Sequence, residues 1–256
     1  MELADALELG DRALVAFVGA GGKKTAMDRL VQEGTARGLA VGYTTTTHVP
    51  PPDLPLALSD PETLEGGLEE HEPPVAFALE EVEQPERAER KLRGFEPSVV
   101  DWTYRTRRFD WLLVKADGAR RRGFKAPGPE EPALPPAATQ VVPVASVQVI
   151  GKPLTPEHVH RVDEVAAITG LERGDPIDAA AVGTVLGSPE GGLKAVPESA
   201  SVTYLVNQAD TPALAATART ILEHAFEAAE RPVRGAVSSF EADRLEVIRP
   251  DGGGEA

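Results

Sequence analysis

The stretch "FVGAGGKKTAMDRL" (residues 17–30) decides the fold, because a glycine-rich turn there joins an apolar run to a helical pattern. The apolar run "ALVAFV" (residues 13–18) predicts a buried strand, and "TAMDRLVQEGTARG" (residues 25–38) predicts a helix that ends near Gly38. Such a turn lets backbone N–H groups close around phosphate oxygens, and the helix adds its positive N-terminal end. The sequence therefore predicts a nucleotide-binding loop made of Gly19, Ala20, Gly21, Gly22, Lys23, Lys24 and Thr25.

This loop is shorter than the usual phosphate loop, which has four residues between its first glycine and the Gly-Lys pair. Here only two residues separate Gly19 from Gly22 and Lys23, a spacing that resembles the "GTNGKTT" loop of Mur-type peptide ligases. Lys23 is predicted to neutralise the terminal phosphates and to act in catalysis. Because Lys24 occupies the position of the usual Ser or Thr, Thr25 is expected to supply the hydroxyl for Mg²⁺ one position later. The alternative is an ordinary strand-to-helix turn with exposed lysines.

Strand-like and helical segments alternate along the rest of the chain. Apolar runs predict further strands at residues 39–47, 109–119, 139–150, 201–210 and 232–239. Helical patterns lie at residues 85–95, 97–108, 155–188 and 212–230, whereas the Pro- and Glu-rich residues 50–74 predict an exposed excursion. The alternation predicts a P-loop NTPase-like, three-layer α/β/α fold with a mostly parallel sheet and a helical insertion at about residues 155–190. We expect one domain over residues 1–250 and a disordered tail over residues 251–256.

The composition restricts the classes of partner. The formal net charge of −15 argues against nucleic acid, whose binding depends on Lys and Arg, and is interpreted as a halophilic-type solvent adaptation rather than an acidic docking face. No run is long and apolar enough for a membrane span, and the N-terminal residues lack a signal-peptide pattern, so the chain is expected to be cytoplasmic. The absence of cysteine excludes thiolate metal sites and cysteine nucleophiles, and leaves oxygen or histidine ligands, which suit Mg²⁺.

Polar side chains follow three other predicted strands, where open α/β sheets bind ligands. Asp117 in "WLLVKADGA" has the position of a carboxylate that binds or orients Mg²⁺ and acts in catalysis. The basic loop after it, including Arg120 and Lys125, is predicted to bind an anionic substrate, the alternative being a solvated loop. Thr47 and His48, in "TTTTHV", are further candidates for substrate binding, although threonines also suit a strand end.

The fourth cluster is "YLVNQAD", in which Asn207 and Asp210 resemble the N-K-x-D base-binding motif of guanine-nucleotide-binding proteins. Gln208 replaces the lysine of that motif, so guanine specificity is left open between ATP and GTP. Both residue types are also common in turns, and Asp210 is in position to cap the next helix. His158 and His160 are two residues apart, and on a helix they would point to different faces, which argues against paired metal ligation.

The segments "FVGAGGKKT", "TTTTHV", "ADGARRRGFKAP", "GKPLTPEHVHR" and "LVNQAD", in this order, resemble the YqeC family. The family consists of proteins described as accessory factors for selenium-dependent molybdenum hydroxylases or for selenium-cofactor biosynthesis. The resemblance implies a P-loop-like α/β fold and nucleotide binding. The chain departs from the family pattern at Lys24, where a threonine is usual, and at Lys115, where a glutamate is usual.

Together these observations predict an NTP-dependent phosphoryl or nucleotidyl transfer, or hydrolysis, on a small anionic substrate in molybdenum hydroxylase or selenium-cofactor maturation. The cofactors implied are Mg²⁺ and ATP or GTP, and the partners are a nucleotide and the molybdenum cofactor or the apo-hydroxylase. The alternative is a non-catalytic, nucleotide-switched chaperone. The two departures favour that alternative, because they remove one hydroxyl and one carboxylate from the expected metal site.

Overall fold

The computed structural model of this chain describes residues 1–84 and 89–250. The strands are β1 (Ala13–Gly19), β2 (Val41–Thr45), β3 (His48–Val49), β4 (Leu56–Leu58), β5 (Val75–Ala78), β6 (Glu80–Gln84), β7 (Glu89–Arg93), β8 (Trp111–Lys115), β9 (Phe124–Lys125), β10 (Gln140–Ser146), β11 (Val159–His160), β12 (Ser201–Asn207), β13 (Arg234–Ser239) and β14 (Arg244–Ile248). The helices are α1 (Leu3–Ala6), α2 (Lys23–Ala36), α3 (Leu64–Glu69), α4 (Pro97–Arg105), α5 (Val162–Thr169), α6 (Ala179–Gly187) and α7 (Pro212–Ala228).

Nine of the strands form one sheet in the order β14-β13-β12-β10-β1-β8-β2-β5-β4. Every neighbouring pair in it is parallel except β13 and β14, which are antiparallel. β1 lies at the centre, between β8 and β10. Its carboxyl end, where the glycine-rich turn begins, therefore lies beside the carboxyl ends of both neighbours, the position at which parallel sheets bind ligands.

Helices cover both faces of this sheet. Val15 and Phe17 of β1 pack in one buried cluster with Met27 of α2, whereas Leu14 of β1 packs in another with Val100 of α4. Alternate residues of a strand point to opposite faces, so β1 is buried on both sides, which explains its uninterrupted apolar sequence. The predicted three-layer α/β/α fold with a mostly parallel sheet is confirmed.

The two helices predicted in the middle of the chain are present as α5 and α6, between β10 and β12. They pack with α7 in a third apolar cluster. The bounds of the insertion and the assignment of residues 1–250 to one domain stay predictions, and the tail at residues 251–256 lies outside the described residues.

Three local predictions were wrong. The excursion at residues 50–74 contains α3 and also β4, which extends the main sheet at its edge. Of the helix predicted at residues 85–95, residues 85–88 lie outside the described part, and the remainder contains strand β7, paired with β3 and β6. β13 was expected to be the last strand, but β14 follows it and pairs antiparallel.

Among the helices that the structure describes, none combines the length and the apolar character that crossing a membrane needs.

Candidate functional site

The predicted phosphate loop connects β1 to α2 at the carboxyl edge of the sheet. Gly19, Gly21 and Gly22 all have positive φ angles, of 85°, 89° and 125°. A Cβ atom on Gly19 would lie 2.3 Å from the carbonyl oxygen of Val144, and one on Gly22 would lie 2.1 Å from the Asn207 Nδ2 atom. Glycine is therefore required at both positions for two reasons. The backbone conformation disfavours a side chain, and the neighbouring atoms leave no space for one.

α2 begins at this loop, directly after Gly22. Its N-cap residue is Gly22, and in the described structure no side chain caps this end. The N–H groups of a first helical turn have no partner within the helix, and they favour a bound anion. Lys24 and Thr25 of this turn line the adjoining cleft, and Lys24 Nζ also pairs with Asp28 at 2.7 Å.

Lys23 and Asp117 form a buried ion pair directly beneath the loop. Lys23 Nζ lies 2.5 Å from Asp117 Oδ1, and it also donates to the Gly19 carbonyl oxygen. The other carboxylate oxygen, Oδ2, accepts a hydrogen bond from the Gly19 N–H at 2.7 Å and lies 3.0 Å from Lys125 Nζ. Burial tends to raise the pKa of Asp117, but the charges of Lys23 and Lys125 outweigh it and hold that pKa below its usual value. Asp117 is therefore ionised and fixes the loop to the end of β8.

The ion pairs continue away from the loop. Lys125 Nζ lies 2.5 Å from Glu131 Oε2 and donates to the Gly118 carbonyl oxygen at 2.6 Å. Glu131 Oε1 in turn lies 3.1 Å from the guanidinium of Arg161. Lys23, Asp117, Lys125, Glu131 and Arg161 thus form one continuous series, which we call the ion-pair chain. It joins residues that are far apart in sequence, and its cations and carboxylates largely compensate one another.

These contacts bear on the predicted magnesium ligands. Asp117 Oδ1 and Oδ2 are both engaged by ammonium or N–H donors, so the carboxylate as placed does not fit a direct metal ligand. Thr25 lies exposed on the cleft wall. Within residues 1–84 and 89–250, no group of three or more metal-ligating side chains comes together. Mg²⁺ binding stays a prediction, and an ion of this kind is commonly held mainly by nucleotide phosphates and water.

The loop opens onto a cleft with a volume of about 1090 Å³. Nine of the residues that line it are Lys or Arg and only two are Glu. The cations are Lys23, Lys24, Lys91, Lys115, Arg120, Arg121, Arg122, Lys152 and Arg161. The chain has a net charge of −15, so the sign of the charge in the cleft is opposite to that of the protein as a whole. A cleft lined by positive charge concentrates the electrostatic field and attracts anions.

Thr47, His48 and Lys115 form the wall at the ends of β2 and β8. Lys115 Nζ donates to Thr47 Oγ1 at 3.1 Å and to the His48 carbonyl oxygen at 2.6 Å. Burial, helped by the positive charge of Lys23, lowers the pKa of Lys115 to about 7. No carboxylate contacts its ammonium in the part of the chain that the structure describes. Lys115 is thus a cleft cation whose charge depends on pH near neutrality.

The other predicted substrate residues differ in their placement. Arg120 lines the cleft, as Thr47 and His48 do. Lys125 is buried beneath it, where Asp117, Glu131 and a backbone carbonyl surround its ammonium, and this favours a positioning role over contact with a substrate.

Asn207 and Asp210 contact other protein groups. Asn207 Nδ2 donates to the Gly21 carbonyl oxygen at 3.1 Å, and Asn207 Oδ1 accepts from Ser238 Oγ at 2.9 Å. The carboxylate of Asp210 accepts from Ser239 and Gln148. Base binding by the two residues stays a prediction, whereas the alternative that Asp210 caps α7 was wrong. The cap is Thr211, whose side chain accepts from the N–H of Leu214.

One wall of the cleft was not predicted from the sequence. His158, His160 and Arg161 all line it, because residues 159–160 form strand β11 rather than a helix and pair with β9. On extended backbone, residues two apart share a side, and the alternating "HVH" was the available signal.

Four non-glycine residues that line the cleft have positive φ angles. Backbone strain of this kind tends to cluster at functional sites. They are Arg120, Arg121, Arg161 and Gln208.

Fold and site together define an α/β protein with a phosphate-loop-like turn and a cationic cleft at the carboxyl edge of its sheet. The YqeC family model, described as "YqeC protein", matches residues 15–163, which is more than half of the chain. The chain belongs to the YqeC family, and the resemblance inferred from the motifs is confirmed.

The proteins similar to the chain include one from Escherichia coli and one from Mycoplasma mycoides. An Escherichia coli (strain K12) relative, "Uncharacterized protein YqeC", is 29% identical over 198 residues, which cover 76% of this chain and 75% of that protein. The crystal structure of FtsY from Mycoplasma mycoides covers 92% of this chain at 13% identity, with a TM-score of 0.42. The aligned part is 63% of the FtsY chain, and a likeness at this TM-score supports no conclusion about function.

Proposed function

We propose that this protein binds a nucleotide, ATP or GTP, and uses it for phosphoryl or nucleotidyl transfer, or hydrolysis, on a small anionic substrate. The observation that carries the proposal is the glycine-rich loop at the end of the central strand, which opens onto a cleft of about 1090 Å³ lined by nine Lys and Arg residues. The biological setting we propose is the maturation of molybdenum hydroxylases or of a selenium cofactor. It rests on membership of the YqeC family.

The loop offers two kinds of phosphate contact. The N–H groups at the start of α2 supply fixed donors and the positive end of the helix dipole. An ammonium group has three donor hydrogens, and Lys23 uses two of them for Gly19 and Asp117. Lys23 lines the cleft although it is largely buried, and in this proposal its third hydrogen is donated to a phosphate oxygen while Asp117 keeps the side chain in place.

The remaining cations suit a second anionic group. Arg120 and Lys115 lie on the same cleft as the loop, and guanidinium groups bind phosphate or carboxylate through paired hydrogen bonds. Charge that develops on a transferring phosphoryl group would be stabilised by the same side chains. In this proposal the molybdenum cofactor or the apo-hydroxylase is the partner that supplies or receives the anionic substrate.

A nucleotide-switched chaperone without catalytic activity is the second candidate, and a specific observation favours it. The Asp117 carboxylate is neutralised by two lysines, and Lys115 stands at the end of β8 where the family pattern has a glutamate. Both features weaken a metal-dependent reaction, and neither weakens the binding of phosphate groups.

An assay that follows consumption of ATP and GTP in the presence of the acceptor, with the nucleoside diphosphate, inorganic phosphate and pyrophosphate as measured products, separates the two candidates. For an enzyme we expect turnover by the wild-type protein and a loss of about tenfold or more in kcat/KM for Lys23→Ala. Arg219→Ala is the matched control, because Arg219 pairs with Glu246 of β14, the edge strand of the sheet, and neither residue lines the cleft. Nucleotide binding without turnover, with a molybdenum-cofactor substrate present, would favour the chaperone. Absence of both binding and turnover would contradict both.

A further inference from the structure

Arg161 belongs to the part of the cleft wall that is formed by β11 and the residues beside it. Its backbone is left-handed, with a φ angle of 66°, and its guanidinium lies 3.1 Å from Glu131. The guanidinium occupies the space beside Gly128, where a Cβ atom would lie 1.1 Å from the Arg161 Nη1 atom. An unfavourable backbone conformation, a carboxylate and a glycine thus combine to hold this guanidinium at the cleft surface.

Two further arginines reach this wall from the loop after β8. Arg122 Nε donates to the Pro156 carbonyl oxygen at 2.7 Å, which ties its loop to the segment preceding β11. Arg120 makes no hydrogen bond or ion pair with any other residue that the structure describes, and its φ angle of 46° is again left-handed. Glu131 is shared between Lys125 and Arg161, so positive charge is in excess here.

We propose that Arg161, Arg120 and His160 form a second anion-binding site, separate from the phosphate loop, for a phosphate or carboxylate group of the second substrate. This inference deepens the proposed function, and its catalytic meaning rests on that function. The cleft volume of about 1090 Å³ lies just above the range of about 300–1,000 Å³ that is usual for ligand pockets.

The ion-pair chain connects the two sites. It runs from Lys23 at the loop through Asp117, Lys125 and Glu131 to Arg161. The two sites lie at opposite ends of this series and have no residue in common, so each can be changed separately.

His160 supplies a spectroscopic reporter for this wall. Burial, with the positive charges of Lys125, Arg161 and Arg120, lowers its pKa to about 4, against a smaller opposing effect of Glu131. A bound anion would offset these positive charges and would raise the pKa of the imidazole.

Calorimetric titration with inorganic pyrophosphate tests the inference. We expect two binding sites on the wild-type protein. Lys23→Ala should weaken one of them and leave the other, and Arg161→Gln should weaken the second by about tenfold or more while leaving the first. Arg161→Gln is expected to fold, because Glu131 keeps its contact with Lys125. Arg173→Gln is the matched control, since Arg173 pairs with Asp163 outside the cleft.

The outcomes separate this inference from the proposed function. A single site that Lys23→Ala removes and Arg161→Gln leaves intact would overturn the second site but not nucleotide binding. A single site with the opposite response would retain the second site and contradict the phosphate loop. Proton NMR titration of His160 in Lys23→Ala should show a higher pKa with pyrophosphate than without, and an unchanged pKa would also overturn the inference.

Discussion

The ion-pair chain beneath the cleft and the cations on the cleft surface both contain lysine and arginine, but these residues have different roles in the two places. In the chain, Lys23 and Lys125 are buried against Asp117, and each contact is 3.0 Å or shorter. On the surface, Arg120 and Lys115 face the cleft without a carboxylate partner among the described residues. The difference indicates that the carboxylate partners hold the paired cations in place, Lys23 beside the loop and Arg161 at the cleft wall, whereas the unpaired cations only attract an anion into the cleft.

The largest expected effect comes from breaking the paired region. Asp117→Asn keeps the shape of the side chain but leaves two buried ammonium groups without their shared carboxylate. We expect a loss of about 3–5 kcal/mol in the free energy of unfolding, measured by urea denaturation. Asp163→Asn, which breaks the exposed pair with Arg173, should cost less than about 1 kcal/mol. Equal effects of the two substitutions would mean that the buried pairs do not hold the loop.

A smaller, pH-dependent effect is expected from the unpaired Lys115. Its pKa of about 7 lies below the ordinary lysine value of 10.5, so above pH 7 this group binds more protons in the unfolded chain than in the folded chain. Stability due to this group must therefore rise as the pH increases through 7, by less than about 1.4 kcal/mol per pH unit. Unfolding measured from pH 6 to pH 9 should show a steeper rise in the wild-type protein than in Lys115→Met. Parallel pH profiles for the two proteins would place the pKa of Lys115 near its usual value.

Asn207 offers the smallest effect and separates two roles for the same side chain. Because its amide donates to Gly21, Asn207→Ala should loosen the phosphate loop and weaken ATP and GTP by the same few-fold factor, measured by calorimetry. A loss confined to one of the two nucleotides would instead support the base contact predicted from the sequence. Ser201→Ala, at the exposed start of the same strand, is the control and should leave both affinities unchanged.

The sequence revealed most of the main sheet because its inner strands are buried on both faces. β1, with the neighbouring β8, reads as an uninterrupted apolar run for this reason. The edge was harder, since β4 lies in a Pro- and Glu-rich segment and β7 carries an almost wholly charged sequence. These strands pair with segments that are distant in the chain, and the local composition does not predict such pairing.

The candidate site, like the sheet, was predictable only in part. The glycines and Lys23 predict the loop, because only certain residue types can adopt the backbone conformation that a phosphate loop needs. Glu131 and Arg161 gave no local signal, since their importance arises from contact with Lys125 and with each other across the fold. Because the segment around His160 was predicted to be a helix, the part of the cleft wall that contains His160 and Arg161 was not predicted.

The central claim is that the glycine-rich loop and Lys23 bind the phosphates of a nucleotide. Calorimetric titration of the wild-type protein and of Lys23→Ala with ATP, GTP and CTP, each with Mg²⁺, tests it most directly. We predict saturable binding of at least one nucleotide to the wild-type protein and an affinity at least about tenfold lower for Lys23→Ala. No binding of any of the three nucleotides, or equal affinities for the two proteins, would contradict the claim.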